Sequence, residues 1–211
     1  LERVYDRDGD RNLWHEAYNN EDRTTDLSCA IPMIKVFFSD WIKSIQPANK
    51  KIKGFSEIID SENDLFITFN YTHTLEELYG CKKVVHMHGE VGKEIIIGHN
   101  GTKDYTEENP STPIGYYNSL QDIYDGLRKN TDEVIRRHYD EIKSIADCEK
   151  IYSYGFSYSN VDIPYIKMIC ESIKSSNVSW LFNAYDCNRI DYYKETVSKN
   201  GFCGKFSKYT V

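Results

Sequence analysis

Short apolar runs alternate with longer segments of helical periodicity along most of this chain. The clearest run, 65–69, is followed by the polar turn Asn70-Tyr71-Thr72 and by a predicted helix from about Thr74. Strands that are separated by helices pair in parallel, because each connection has to cross over the sheet. The alternation therefore predicts an α/β fold with a Rossmann-like open, mainly parallel sheet flanked by helices. Further strands are predicted at 84–88, 94–97, 151–154, 178–182 and 206–209.

The segments outside this pattern divide the 211 residues into two parts. Residues 1–26 are mostly polar and are expected to form a partly ordered lead-in, whereas 34–45 carries apolar residues at helical spacing and stops before Pro47. We therefore assign 1–50 to a helical lead-in and packing helix and 51–211 to the α/β domain. Helices of that domain are predicted over 120–145 with a break near Asn130, over 163–173 and over 188–197.

Composition excludes several classes of partner. The net charge of −7 opposes binding to duplex nucleic acid, which depends on Lys and Arg, so no duplex partner is expected. No segment approaches the roughly 18 consecutive apolar residues of a membrane span, so no membrane partner is expected either. The six cysteines are scattered without a C-x-x-C pair, which favours reduced thiols and a cytoplasmic location.

Polar segments follow three of the predicted strands, at 70–73, 86–89 and 155–160. In open α/β sheets, ligands bind outside the carboxyl ends of the strands, so these segments are expected to form the site. The amide of Asn70 can donate and accept a hydrogen bond in one plane, which suits a sugar hydroxyl or a water. Asn also forms turns and helix caps well, so a structural role for Asn70 stays open.

Two histidines lie at alternate positions of the second strand, so their side chains point to the same face. His88 precedes Gly89, a residue that lets a substrate approach closely, and is the better candidate for a general base. A metal pair formed by His86 and His88, with His99 as a third ligand, is the alternative. Because H-x-H alone shows no complete set of ligands, we expect no bound metal.

The segment 155–162 offers a glycine at a strand end, hydroxyl groups and backbone amides, which suit a ribose or a phosphate. It contains neither G-x-G-x-x-G nor a Walker pattern, so nucleotide binding does not follow from it alone. Asp162 is expected to cap the next helix, with Pro164 just inside that helix.

Four motifs together resemble the AbiH family of bacteriophage abortive-infection proteins. In chain order they are Phe69-Asn70-Tyr71-Thr72-His73-Thr74-Leu75-Glu76, His86-Met87-His88-Gly89, Ile97-Gly98-His99, and Gly155-Phe156-Ser157 through Asp162-Ile163-Pro164-Tyr165. The family usually has His where this chain has Phe156. Members normally begin with a strand and a G-N-G-F-D turn, which these residues lack, so the resemblance implies that the N-terminal part of the fold is missing.

The same motifs are similar to the SIR2-like domains of bacterial defence systems, which cleave NAD. This similarity implies that NAD or a related nucleotide is the substrate and that no prosthetic group is needed. Asn70 and His88 would then be catalytic, while Thr72 stands where SIR2-like sites often have Asp. The residues expected to bind the nucleotide are Tyr71, Thr72, His86, Gly89, His99, Gly155, Ser157 and Asp162.

The resemblance implies an anti-phage protein that binds NAD and hydrolyses it, with a phage-derived trigger and a homo-oligomer as further expected partners. Two alternatives stay open at this point. One is a non-enzymatic nucleotide-sensing or interaction protein in phage defence. The other is a metal-dependent hydrolase or nuclease that uses His86, His88 and His99.

Overall fold

The computed structural model describes residues 3–47, 49–105, 117–173 and 176–211. They form two compact units. One comprises Leu1–Ser44 and Ile96–Lys129, and the other comprises Ile45–Ile95 and Asn130–Val211. The sequence also predicts a loop over 99–113, whose residues from 106 onward lie outside the described part of the chain.

The helices resemble the predicted set, except that the first begins much earlier than predicted and the short helix at Lys53–Ile58 was not predicted. In the described residues they are α1 (Leu13–Ser44), α2 (Lys53–Ile58), α3 (Thr74–Tyr79), α4 (Asn118–Gly126), α5 (Thr131–Arg137), α6 (Tyr139–Lys143), α7 (Ile163–Ser172) and α8 (Ile190–Lys199), with short 3-10 turns at Ser144–Asp147, Asn160–Asp162 and Ala184–Asp186. In the part of the chain that the structure describes, none of them has both the length and the apolar character that crossing a bilayer requires.

The first unit consists mainly of α1 packed against α4. The helical character predicted for 1–50 agrees with α1, a single helix of 32 residues with Pro32 inside it. The partly ordered state predicted for 1–26 does not hold from Leu13 onward. The hydroxyl groups of Thr25 and Ser28 bond to carbonyl oxygens one turn earlier, so these polar residues fit the helix without apolar partners. Near the start of α1, Glu16 is buried and accepts two hydrogen bonds from the Arg11 guanidinium.

The apolar side of α1 is only partly covered. Ile42 is buried, but Phe37 and Trp41 are 64% and 58% exposed, although the periodicity predicts a packed helix. The sequence thus identifies the helix correctly, while the described residues do not cover most of its apolar stripe.

The second unit contains the strands. Those of the described residues are β1 (Leu65–Thr68), β2 (Lys83–His86), β3 (Lys150–Ser153), β4 (Ser179–Asn183) and β5 (Lys205–Tyr209). β1 pairs in parallel with β2, and β3, β4 and β5 form a separate parallel sheet in that order. The parallel pairing and the mixed α/β class are confirmed. The single open sheet is not observed among these residues, because β1 and β3 do not pair with each other.

One predicted strand is absent from the described residues. The run 94–97 forms no strand, and Ile95 makes only an isolated antiparallel bridge to Gly89. Backbone turns at 91–93 bring the chain back to β2 without extended pairing. An apolar run without a neighbouring strand therefore forms a loop here.

The core of the second unit lies around β4. Trp180 and Phe182 are buried on this central strand, and Tyr165 of α7 is completely inaccessible to solvent. Tyr158 is also buried, and its hydroxyl oxygen accepts a hydrogen bond from the indole Nε1 of Trp180 at 3.0 Å. Strands buried on both faces are nearly continuous apolar runs, which is why β4 is recognisable in the sequence.

Candidate functional site

The turn after β1 is fixed by the last residue of β2. Because the strands are parallel and Thr68 pairs with His86, Asn70 lies next to the His86 ring. His86 Nδ1 is 2.9 Å from the Asn70 carbonyl oxygen, and His86 Nε2 is 2.8 Å from Glu76 Oε1. A carbonyl oxygen only accepts, so His86 Nδ1 carries a hydrogen and donates it. His86, expected to bind the nucleotide, therefore has both ring nitrogens on protein groups.

His88, two residues after His86, is buried among aromatic side chains. Its Nε2 is 3.5 Å from Asp162 Oδ1, with both side chains about nine-tenths buried. The ring centroid of His88 is 5.1 Å from that of Phe69 and 5.9 Å from that of Tyr165, in both cases edge to face. The Tyr71 ring is 6.3 Å away. The structure thus brings together the expected base and an acidic residue that is distant in sequence.

Asp162 occupies the predicted cap position of α7, but its carboxylate does not cap the helix. α7 begins at Ile163 with Pro164 in its first turn, as expected, and no side-chain cap hydrogen bond is made. Instead, Asp162 Oδ2 accepts a hydrogen bond from the Ser159 hydroxyl at 2.7 Å. That bond turns the carboxylate toward His88.

Two tyrosines beside Asp162 remain protonated. Burial raises the pKa of Tyr71, and the charge of Asp162 raises it further. Burial, together with the same carboxylate, raises the pKa of Tyr165 to about 12. Both phenols are therefore hydrogen-bond donors at neutral pH. The buried Tyr165 hydroxyl has no hydrogen-bond partner among the described residues, and such groups are costly to leave unmatched.

A groove next to this cluster carries other predicted residues. Asn70, Thr72 and Gly155 line a cavity of about 1200 Å³ that runs between β1 and β3. The Thr72 hydroxyl lies 2.9 Å from that of Thr74. Gly155 has a φ of +61°, and open space surrounds the position of a Cβ, while Ser157 is exposed nearby in sequence. Three predicted residues, Asn70, Thr72 and Gly155, therefore line an open groove, while Asp162 and Tyr71 lie beside the buried His88.

Gly89 has a structural reason to be glycine. Its φ is +80°, and a Cβ there would collide with the carbonyl oxygen of Glu94. The glycine thus permits the chain to fold back after β2, in addition to any role in substrate approach.

His99 belongs to the first unit. Its Nε2 lies 3.0 Å from the Tyr124 carbonyl oxygen, and its Nδ1 accepts a hydrogen bond from the Gly101 N–H at 3.1 Å. Its ring also stacks against Tyr124, with centroids 4.1 Å apart. Both ring nitrogens are therefore used by the local fold.

A different group of side chains has the spacing of a metal site. One potential ligand atom from each of His73, His86 and Glu90 lies within 4.8 Å of the others. His73 Nε2 is 2.6 Å from Glu90 Oε2, and the hydrogen bond from Lys93 lowers the pKa of Glu90, with a smaller contribution from His73. The Glu90 carboxylate thus already has a cationic and a hydrogen-bonding partner within the protein, Lys93 and His73. The three side chains are therefore explained as a polar network.

Sequence reasoning did not identify the acidic partners of the two histidines. Glu76 lies in the first turn of α3, where a carboxylate favours the helix dipole, and it also bonds His86, which holds Asn70. Asp162 was expected to be a cap, but it faces His88. Glu76 could have been singled out because it lies in the same motif as Asn70. The residues around Asp162 give no sign that its carboxylate faces His88.

The comparisons with known proteins give one match. A family model described as Bacteriophage abortive infection AbiH matches residues 2–184. No curated protein and no solved structure matches the chain significantly.

Proposed function

The chain belongs to the bacteriophage abortive infection AbiH family, and from this premise we propose that it acts in phage defence by binding NAD and hydrolysing its nicotinamide-ribose bond. The proposed site lies at the carboxyl ends of β1 and β2, in the position that open α/β sheets use for ligands. The observation that carries the proposal is the approach of His88 Nε2 to Asp162 Oδ1 at 3.5 Å, in a buried aromatic surrounding.

The reaction requires little covalent participation by the protein. The bond between ribose C1′ and the nicotinamide nitrogen breaks, and its electron pair leaves with nicotinamide. The sugar then carries positive charge, which the oxygen of a water molecule neutralises by bonding to C1′. The proton lost by that water passes to a base, and the products are nicotinamide and ADP-ribose. The catalytic contribution is therefore positioning, proton transfer and electrostatic stabilisation.

We assign the proton transfer to His88, which acts on a ribose hydroxyl or on the water. Asp162 orients the His88 ring and balances the charge that the ring gains with a proton. Asn70, exposed at the end of β1, orients the ribose or the water. We place Gly155, which lines the groove, and the exposed Ser157 beside the ribose. The protonated Tyr71 and Tyr165 supply hydrogen-bond donors near the carboxylate.

The test measures the products directly. Purified protein is incubated with NAD, and nicotinamide and ADP-ribose are quantified by mass spectrometry, while calorimetry gives the affinity for NAD. We expect release of nicotinamide, lost in His88→Ala and in Asn70→Ala but kept in His15→Ala, which alters an exposed histidine of the first unit.

The outcomes separate the possible roles. Binding without release of nicotinamide contradicts the hydrolase and favours a nucleotide sensor. Neither binding nor release contradicts the assignment of NAD altogether.

A further inference from the structure

The phenol of Tyr165 is a buried polar group whose hydrogen-bonding capacity is unused. Its side chain is completely inaccessible to solvent, and its hydroxyl makes no hydrogen bond to any of the residues that the structure describes. Buried polar groups in folded proteins are nearly always bonded, either to the protein or to an ordered water. A further polar partner is therefore expected beside this hydroxyl.

The hydroxyl belongs to a small polar cluster within the second unit. Tyr165 lies one helical turn after Asp162, at the start of α7. After burial itself, the charge of Asp162 is the largest cause that raises the pKa of this phenol to about 12, so the two groups are near each other. The ring centroid of Tyr165 is 5.9 Å from that of His88. The phenol, the carboxylate and the imidazole therefore share one buried region.

The contact between His88 and Asp162 is longer than a direct hydrogen bond. The Nε2 atom of His88 lies 3.5 Å from Asp162 Oδ1, whereas N–H···O bonds span roughly 2.7–3.2 Å. Asp162 Oδ2 accepts the Ser159 hydroxyl, so Oδ1 is the oxygen that faces the imidazole. Polar groups at such a separation are commonly bridged by a water molecule.

Aromatic rings shield this region from bulk solvent. The ring centroid of Phe69 is 5.1 Å from that of His88 and 5.4 Å from that of Tyr165. The side chains of His88 and Asp162 are each about nine-tenths buried. Phe69 also lines the groove, so the cluster borders the space in which we place the ribose.

We propose that Tyr165, Asp162 and His88 together hold one water molecule in this cluster, and that this water is the nucleophile of the hydrolysis. The water site is a property of the folded protein alone, whereas the role of the water as nucleophile rests on the proposed function. His88 then acts on the water and not on a ribose hydroxyl.

The hydrogen bonds of this water are balanced. The protonated phenol of Tyr165 donates to the water oxygen, and Asp162 Oδ1, which only accepts, takes one hydrogen of the water. The second hydrogen goes to His88 Nε2, which needs a lone pair to act as a base. Without a hydrogen between them, Nε2 and Oδ1 would be two acceptors that face each other. Three partners lie within the two to four that buried waters usually have.

The same bonds prepare the water for attack. One lone pair of its oxygen remains unused, and this pair bonds to ribose C1′ as the bond to nicotinamide breaks and its electron pair leaves with nicotinamide. The hydrogen that faces Nε2 passes to His88 as a proton, and Asp162 balances the charge of the imidazolium. Tyr165 keeps its own hydrogen throughout and is therefore a positioning residue.

The sign of one stability change tests the water site. Tyr165→Phe removes only the hydroxyl, so the water loses a partner and the melting temperature should fall by about 2–4 °C. If the hydroxyl were unbonded, its removal would instead raise the melting temperature, because an unmatched buried polar group destabilises the fold. A raised or unchanged melting temperature would overturn the proposal.

Two other tyrosines serve as controls for that measurement. Tyr185 is 90% exposed, so Tyr185→Phe should leave the melting temperature unchanged. Tyr158→Phe removes the acceptor of the Trp180 indole N–H and should lower the melting temperature, which shows that the measurement detects the loss of one buried hydroxyl.

Crystallography tests the site directly. A high-resolution crystal structure of the purified protein should contain a water oxygen at hydrogen-bonding distance, roughly 2.5–3.2 Å, from the Tyr165 hydroxyl, Asp162 Oδ1 and His88 Nε2. The same water should be lost in Tyr165→Phe. A direct bond between the Tyr165 hydroxyl and the Asp162 carboxylate, with no water between them, would overturn the proposal.

Kinetics tests the role of the water in the reaction. In Tyr165→Phe, kcat for nicotinamide release should fall by up to about 100-fold, as expected when a reacting atom loses its position, while KM for NAD stays nearly the same. A higher KM with an unchanged kcat would show that Tyr165 binds the substrate and would overturn the assignment of the nucleophile. If the unaltered protein releases no nicotinamide, the proposed function is contradicted, and the melting temperatures and the crystal structures still decide the water site.

Discussion

The Asn70 carbonyl oxygen accepts a hydrogen bond from His86 Nδ1 at 2.9 Å, so the turn that presents the Asn70 side chain is tied to the neighbouring strand. Glu76 holds the opposite nitrogen of the same ring at 2.8 Å. The placement of Asn70 therefore depends on two residues, one from β2 and one from α3, whose side chains bond to the protein.

The first prediction concerns this connection. His86→Phe keeps a ring but leaves the Asn70 carbonyl and the Glu76 carboxylate without their partner, which should lower the free energy of unfolding by about 1–3 kcal/mol. Urea denaturation measures this loss, and nicotinamide release should fall with it. His15→Phe, at an exposed position, should change neither quantity. Unchanged stability and activity in His86→Phe would show that the turn is held by other contacts.

The second prediction concerns the residue that faces His88. Asp162→Asn keeps the shape of the side chain and an oxygen for the Ser159 hydroxyl, but removes the negative charge. We expect release of nicotinamide to fall by about 100-fold, within the range of general acid-base contributions, with little change in melting temperature. Asp191→Asn is the matched control, because that carboxylate on α8 is fully exposed. Full activity in Asp162→Asn would remove Asp162 from the mechanism.

The third prediction separates backbone strain from collision. Gly89 and Gly92 both have positive φ values, +80° and +85°, but only at Gly89 would a Cβ meet the Glu94 carbonyl. Gly92→Ala should therefore cost only the left-handed conformation, about 1–2 kcal/mol, and Gly89→Ala should cost clearly more. Urea denaturation of both variants tests the difference. Equal losses would show that the loop after β2 moves aside easily.

The fourth prediction concerns pH. Burial lowers the pKa of His138 below its ordinary value of 6.5, against the opposing effect of Glu141. Below pH 6.5 the unfolded chain therefore takes up a proton that the folded protein resists, so this histidine lowers the free energy of unfolding as the pH falls. His138→Phe should make that decline shallower, and denaturation at a series of pH values measures it. An unchanged slope would contradict the assigned direction.

The fifth prediction concerns metal. Because His86 already bonds Asn70 and Glu76, and His73 bonds Glu90, we expect no stoichiometric zinc or manganese in the purified protein. Elemental analysis tests this directly. About one metal ion per chain, lost in both His73→Ala and His86→Ala, would show that this cluster is a metal site. The metal-dependent hydrolase would then become the favoured function.

A strand could be predicted from the sequence where it is buried in the core, because such a strand is a nearly continuous apolar run. β4 is the clearest example, because parallel strands that are covered on both faces have few polar positions. The same reasoning fails for 94–97, since an apolar run does not show whether another strand lies beside it. It also fails for α1, where the first half of the helix carries mainly polar residues, with hydroxyl groups bonded to its own backbone, and no continuous apolar stripe.

The candidate site was predictable only as separate segments. The motifs place Asn70 and His88 at strand ends, because strand periodicity and turn residues are local properties. The approach of His88 to Asp162 brings together the residues after β2 and before α7, and no local sequence pattern encodes that placement. The two roles that sequence reasoning missed, those of Glu76 and Asp162, are both contacts between different elements.

The division of the strands into two sheets also bears on the order of folding. Within each sheet, every strand pairs with the next one along the chain, so loop closure is short and both sheets can form early. β2 ends at His86 whereas β5 ends at Tyr209, so the first sheet can form during synthesis well before the second. A sheet of two strands presents open edges during that interval, and open edges are where a growing chain aggregates.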